Sequence, residues 1–287
     1  MNVRKAVITA AGLGTRLLPA TKELPKEMLP VFARGCNIGM RLKPLLQLLF
    51  EQVYRIGIRE VCFIVGRGKR AIEDHFTPDW RFVDELIKRG KEAAALDLQE
   101  FYKMVESSHI VWINQPSPKG FGHAILLARP FVEDEPFMVL AGDTYIISEG
   151  NGHLHRFLHV FSKHRPDSVL LLQRVENPQI YGVAIVEEEE TDVMRVTRVI
   201  EKPLKPPSNW AIMPHYIFTP YIIDILTRIK PGLGGEIQLT DAIQELIDDG
   251  CDVLAVALKN YEKKLDIGTP ASYWKAIVDS YKMLLDS

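Results

Sequence analysis

Cysteine is scarce in this chain: its 287 residues hold three, Cys36, Cys62 and Cys251. They form no CxxC pair, which argues against a structural zinc site, and they are too few for a disulfide framework. Reduced thiols in a cytoplasmic protein are expected. An excess of charge is missing too. Lys plus Arg total 35 and Asp plus Glu 37, a formal charge of -2. That removes any global electrostatic case for nucleic acid or a membrane surface as partner, while leaving room for a local basic patch. No apolar run approaches the roughly 18 residues of a membrane span. The apolar stretch 6–10, behind Arg4 and Lys5, is too short for a secretory leader. Linkers, low-complexity segments and repeats are absent as well. Without a hexapeptide-repeat tail, fusion to an acetyltransferase domain is not expected.

What is present is an ordinary globular composition, 47% hydrophobic and 25% charged. A chain of this length buries about three quarters of its unfolded surface. Short runs rich in Val, Ile or Phe at 5–10, 60–65, 109–114 and 136–141 predict strands, each followed by glycine-containing turn chemistry. Leu45, Leu48, Leu49, Val53 and Ile56 fall near one face of a helix over 44–56, with Gly57 as its stop. The stretch 82–104 reads as one long charged helix. Strand, helix and strand in alternation predict an α/β fold with a mostly parallel sheet buried on both faces, which binds ligands at its carboxyl edge. In the second half, strands are expected at 168–174, 182–186, 193–201, 211–218 and 253–258, and helices at 220–229, 240–249 and 270–285. Three prolines stiffen the loop 202–208. The acidic run Glu187 to Glu190 reads as a solvated turn. One continuous domain over 1–287 is expected, with a first half of about 1–143 and a second half of about 144–287.

The strongest local signal follows the first strand. Gly12 and Gly14 let the backbone turn tightly and present N–H groups to an anion. Arg16 adds a planar fork suited to two phosphate oxygens. Lys22 and Lys26 add point charges, and Pro19, Pro25 and Pro30 are expected to keep the segment extended. A dinucleotide fingerprint would need glycine where Leu17 stands, and the P-loop spacing is absent. The string from Gly12 to Pro30 resembles the GxGTRxxPxTKxxPKxxxP signature of the sugar-nucleotide pyrophosphorylases. Its Lys-Glu-Leu-Pro-Lys-Glu-Met-Leu-Pro portion is similar to bacterial-type UTP–glucose-1-phosphate uridylyltransferases.

That resemblance implies a Rossmann-like three-layer sandwich around a mixed, mostly parallel sheet, and it continues through most of the chain. Gln115 and Gly120 match the residues that read uracil, together with the backbone of Ala11 and Gly12; Gly14 and Thr15 complete the nucleotide loop. Pro116 departs from the usual glycine. Asp143 and Asp266 match the two carboxylates that hold Mg²⁺, a cation that takes few protein ligands and fills its shell from phosphate and water. Gly142 stands where uridylyl members usually carry proline and thymidylyl members glycine. Gly182 and Glu201 match hexose-binding residues and Lys202 the sugar-phosphate lysine. Ala211 and Ile212 lie in a stretch similar to the one beside the hexose. Gly235 through Ala242 matches closely and reads as Thr240 capping a helix. Pro214 and His215 replace a usual glycine and basic residue, so His215 is read as structural.

The resemblance implies UTP and glucose 1-phosphate as substrates, UDP-glucose and pyrophosphate as products, and catalysis by Arg16, Lys26 and Lys202. A homo-oligomer, dimer or tetramer, is also implied. The alternatives are a glucose-1-phosphate thymidylyltransferase and a catalytically silent subunit that binds a sugar nucleotide. Two features stand apart. The stretch 32–43 is longer than in the family and is expected to cover the nucleotide or build a subunit contact. His155 and His159 are spaced like zinc ligands, but with His153 and His164 they read as solvent-exposed.

Overall fold

The computed structural model describes residues 3–36, 39–190 and 192–285. Its sheet starts from β1 (Lys5–Ala10), in which every residue is buried. Side chains on a strand alternate between faces. Ala6, Ile8 and Ala10 enter one core and Val7 the other. After β1 the chain turns through a loop and a hairpin of β2 (Pro30–Arg34) and β3 (Met40–Pro44). Helix α1 (Leu45–Arg55) and strand β4 (Glu60–Gly66) follow. Then come α2 (Arg70–His75), α3 (Trp80–Lys88), α4 (Glu92–Glu106), β5 (His109–Gln115), α5 (Phe121–Leu127), α6 (Arg129–Val132) and β6 (Phe137–Ala141). The remainder comprises β7 (Thr144–Ile147), α7 (Gly152–His164), β8 (Ser168–Arg174), β9 (Gly182–Glu190), β10 (Val193–Glu201), β11 (Trp210–Phe218), α8 (Tyr221–Arg228), α9 (Leu239–Asp248), β12 (Val253–Ala257), β13 (Lys263–Asp266) and α10 (Pro270–Leu285).

The main sheet has the order β5-β4-β1-β6-β11-β8-β12-β10-β9. Strands β5, β4, β1 and β6 are mutually parallel. Strand β11 opposes β6 and β8, β12 runs with β8, and β10 opposes β12 and β9. Only β10 and β11 run against the rest, so the sheet is mixed and mostly parallel. Helices α1, α3, α4, α7 and α10 contribute to the core on one face, and α5, α6, α8 and α9 to the core on the other. This is the expected three-layer α/β sandwich. No helix among the described residues is long and apolar enough to cross a membrane.

Several sequence expectations change. The helix expected over 82–104 is two helices, α3 and α4, because Gly90 adopts φ +70° and ends the first. Glu187 to Glu190 are not a turn: β9 runs through to Glu190, which pairs with Val193. The long stretch 32–43 is the β2–β3 hairpin. Arg41 bonds Asp97 of α4 at 2.5 Å, Phe32 packs edge-on to Tyr281 of α10, and none of the described residues of 32–43 lines the nucleotide-side cavity described below. Asn37 and Ile38 of that stretch lie outside the described residues. Asp266 stands at a strand exit, as its surroundings suggest, but the pairing of that strand, β13, with β7 was not anticipated, since nothing local links two distant short strands.

Candidate active site

The carboxyl ends of β1, β4 and β6 lie side by side, since β1 pairs in parallel with both neighbours. The loop leaving β1 is not extended throughout, as the prolines suggested. It makes two single 3-10 turns, Thr15–Leu17 and Lys26–Met28. Gly14 takes φ +67°, a region side chains disfavour, and its carbonyl accepts from Thr21 Oγ1 at 2.8 Å. The turns carry Arg16 and Lys26 to the mouth of a cavity of about 420 Å³. Ala11, Gly12, Gly14, Thr15, Arg16, Lys26, Gln115, Gly120 and Asp143 all line it. Lys22 does not; it is exposed and pairs with Glu23 at 3.4 Å. A larger cleft of about 1420 Å³, bordered by Arg174, Tyr181, Trp210 and Lys264, contains none of the anticipated site residues.

Asp143 leaves β6 and Asp266 ends β13. The β7–β13 ladder sets Asp266 opposite Thr144, and Ile267 N–H donates to the Asp143 carbonyl at 3.0 Å. The two acids therefore arrive on adjacent rungs from distant parts of the chain. The Gly268 N–H donates to Asp266 Oδ2 at 3.1 Å. A Cβ on Gly268 would lie 2.9 Å from that oxygen and 3.4 Å from Arg16 Nη2, so Gly268 stands between Arg16 and Asp266. Lys26 donates directly to Asp143 Oδ2. Burial lowers the Lys26 ammonium, yet Asp143 and then Glu27 outweigh it and raise it overall, against Arg16. Two hard carboxylates beside a cation-occupied position are a donor set that suits a divalent ion with phosphate and water as its other ligands. No group of three or more His, Cys, Asp or Glu placed for a metal occurs among the described residues.

Sequence reasoning missed the support beneath Lys26. Glu27 is 1% exposed and accepts from Lys69 Nζ at 2.7 Å. Burial pushes the Glu27 carboxyl up, against the pull of Lys69 and Lys26. Glu27 also packs beside the residue before Asp143: its Cγ lies 3.3 Å from where a Cβ on Gly142 would be. Gly142 itself donates its N–H to the Thr9 carbonyl at 2.8 Å, and a Cβ would sit 2.7 Å from that oxygen. Proline could not make this bond, so the local backbone explains this glycine without reference to base choice.

Gln115 is buried at the end of β5. Its Nε2 donates to the Gly120 carbonyl at 3.3 Å and meets His123 Nδ1 at 2.9 Å. Burial first, then Lys119, depress the His123 imidazole. Gly120 has φ +100°, and a Cβ there would collide with Ile237 O at 2.7 Å. Its glycine is demanded by the neighbouring 236–237 backbone, a different cause from close approach to a base.

The acceptor-side residues form a second cluster outside that cavity. A Cβ on Gly182 would meet Thr240 Oγ1 at 2.9 Å, Glu201 Oε2 at 3.2 Å and Ile212 Cδ1 at 3.5 Å. Ala211 pairs with Val183. Thr240 is not the cap of α9, whose N-cap is Gln238; its hydroxyl donates to Glu201 Oε2 at 2.6 Å. Lys202 Nζ lies 3.2 Å from Glu201 Oε1, and Lys202 N–H donates to the Tyr181 carbonyl at 3.0 Å. The Tyr181 hydroxyl accepts from Lys264 of β13 at 3.2 Å, joining this cluster to the strand that ends in Asp266. Phe121, a cavity residue, packs 6.2 Å from Tyr216. Burial and then Glu201 push that tyrosine's pKa up.

The histidines divide. His155 and His159 are exposed, as expected, and His164 is half-buried. His153 is fully buried, correcting its expected exposure, with Nδ1 2.5 Å from Ser148 Oγ. It sits under the first turn of α7, against His215 at 5.8 Å between ring centroids. His215 is also fully buried and touches no cavity residue through a hydrogen bond, which fits its structural reading.

Known proteins are similar to this chain along nearly its whole length. The nucleotidyl transferase family profile matches residues 5–282. A UTP–glucose-1-phosphate uridylyltransferase of Pseudomonas aeruginosa is 38% identical over 98% of this chain and 97% of its own length. One of Bacillus subtilis is 39% identical over 93% and 87%. A solved UDP-glucose pyrophosphorylase in complex with UDP-glucose superposes with a TM-score of 0.83 at 32% identity, covering 98% of this chain and 99% of the other. On this fold, these glycine-loop cations and this match across nearly the full length, the chain belongs to the nucleotidyl transferase family.

Proposed function

We propose that the protein forms UDP-glucose and pyrophosphate from UTP and glucose 1-phosphate. The observation that carries this reading is the cavity in which Arg16 and Lys26 stand beside Asp143 and Gln115. The relatives named for that activity, matched along nearly the whole chain, support it. The attacking group is a phosphate oxygen that is already anionic, so the reaction needs no general base. Catalysis rests on alignment and charge neutralisation. Ala11, Gly12, Gly14 and Thr15 present backbone to the nucleotide, and Gln115 and Gly120 read the uracil edge. Arg16 holds the β- and γ-phosphates, while Lys26 and Lys202 neutralise the α-phosphate and the sugar phosphate. Gly182, Glu201, Ala211 and Ile212 receive the hexose.

Asp143 and Asp266 would hold Mg²⁺, which when bound supplies positive charge to the phosphate oxygens. The nucleotide side lies within residues 1–143 and the acceptor side within 144–287, apart from Asp266, which returns to the nucleotide side. The protein acts in the cytoplasm as a homo-oligomer. A pyrophosphate-release assay with UTP, glucose 1-phosphate and Mg²⁺ tests the reading. Turnover is the expected result. Tight UDP-glucose binding with no turnover would favour a silent binding subunit instead.

A further inference from the structure

The Lys26 ammonium stands on the oxygen that a metal would need. It donates to Asp143 Oδ2, with the two side chains only 12% and 24% exposed. Its other surroundings point in two directions. A Cβ on Gly12 would lie 3.6 Å from Lys26 Cε and Nζ, so the ammonium runs along the glycine loop that faces the phosphates. The turn beneath it is fixed independently by the buried Glu27–Lys69 pair. The ammonium can therefore move by side-chain rotation while the backbone stays in place. A dication arriving alone at Asp143 would meet the Lys26 charge at contact distance, with Arg16 close by on the same cavity wall. A polyphosphate arriving in the cavity gives that ammonium another anion.

We propose that Lys26 is a resident counter-ion of Asp143, released to the nucleotide's phosphates, so that a divalent cation gains Asp143 together with the nucleotide and not ahead of it. The inference rests on the metal reading of Asp143 and adds an order to it. The ion pair serves two ends. It keeps a half-buried carboxylate neutralised in the free protein, where an unpaired charge would be penalised. It also reserves the ammonium within reach of the phosphates.

The test is Mn²⁺ titration by electron paramagnetic resonance on folded protein, with and without a non-hydrolysable α,β-methylene analogue of UTP. Without nucleotide, Lys26→Met should bind Mn²⁺ about tenfold or more tighter than wild type, by analogy with the lower end of what one adjacent charge does to proton binding at a carboxylate. Lys26→Gln should do the same and covers the case that the Met variant fails to fold. The gain should vanish in Lys26→Met/Asp143→Asn. In wild type, Mn²⁺ should tighten by at least as much when the analogue is added. Unchanged Mn²⁺ affinity in both Lys26 variants without nucleotide would overturn the proposal, as would a gain that persists once Asp143 is replaced. Failure of the underlying metal reading looks different: Asp143→Asn would then bind Mn²⁺ with the analogue as well as wild type does.

Discussion

The two walls of the site are made from different kinds of sheet. The nucleotide wall grows from the ends of the parallel strands β4, β1 and β6, whose loops all leave the same edge. The acceptor wall grows from the antiparallel strands β9, β10 and β11, which meet where Glu201 pairs with Gly182 and Ala211 with Val183. Their cations differ accordingly. The Lys26 side chain is 12% exposed and rests on a turn tied down by Glu27 and Lys69. The Lys202 side chain is 48% exposed, at φ +41° on the first residue of a proline-stiffened loop. On the proposed function, the first wall is preorganised for a fixed group that every turnover uses, the triphosphate. The second has an exposed cation and a hydrogen-bonded Glu201–Thr240 pair, suited to sensing which acceptor arrives. The comparison implies that damage to the first wall lowers turnover and damage to the second weakens acceptor use.

The largest effect should follow from Asp143→Asn, which keeps size and removes charge. Steady-state kcat at ordinary Mg²⁺ is expected to fall by about 10²-fold or more, the scale of losing one preorganised electrostatic group. Full activity would remove Asp143 from the chemistry. Lys26→Ala comes next. Its kcat should fall strongly, whereas calorimetry should find UDP-glucose bound within about tenfold of wild type. On the proposed assignment the product loses one phosphate contact with Lys26 and keeps those to Gln115, Glu201 and Lys202. A rise in the KM for UTP at constant kcat would make Lys26 a ground-state binder and blur the contrast between the walls.

On the acceptor side, Thr240→Val removes the hydroxyl that donates to Glu201 at 2.6 Å. The KM for glucose 1-phosphate should rise by about threefold to tenfold, the net worth of one ordinary hydrogen bond, with the KM for UTP nearly constant. An equal rise in both constants would mean that the two walls are not separable.

The smallest effect lies away from both walls. His153 and His215 are buried and electrically neutral in the fold; burial, helped by nearby His215 and Arg156, pulls the His153 pKa down to about 2, and burial, against the Pro214 backbone, pulls that of His215 down to about 3. The unfolded chain takes up these protons near pH 6.5. Stability is therefore fully present above that pH and is lost as pH falls towards 3, by roughly 2 kcal/mol per histidine between pH 6.5 and 5. Thermal melts from pH 7 to 5 should show a shallower fall in Tm for His215→Phe than for wild type. Parallel slopes would place the acid sensitivity elsewhere, for instance at His75, which burial depresses to about 4.

Much of the nucleotide wall was legible because its signals are local. Gly14, Arg16 and Lys26 lie within one short loop, and the cavity gathers them with Gln115, Gly120 and Asp143. What was hidden is long-range. Nothing near Glu27 announces Lys69, and nothing near Glu201 announces Thr240, because each pairing is made by packing of distant elements. Gly120 and Gly142 were legible as glycines but not for their causes, which are the backbone atoms Ile237 O and Thr9 O. His153 looked like one more surface histidine on α7, since spacing alone does not show which turn lies against β11. The helix expected over 82–104 failed at Gly90 for a local reason, a left-handed residue that helical propensity summed over a long window outvoted.

The most direct test of the account is a comparison of kcat/KM for UTP, dTTP, GTP and ATP with glucose 1-phosphate as acceptor, read by pyrophosphate release. With Gln115 at the end of β5 and Gly120 closing the turn beside it, UTP should be used best, dTTP second and the purine triphosphates poorly. A larger kcat/KM for GTP or ATP than for UTP would contradict the assignment.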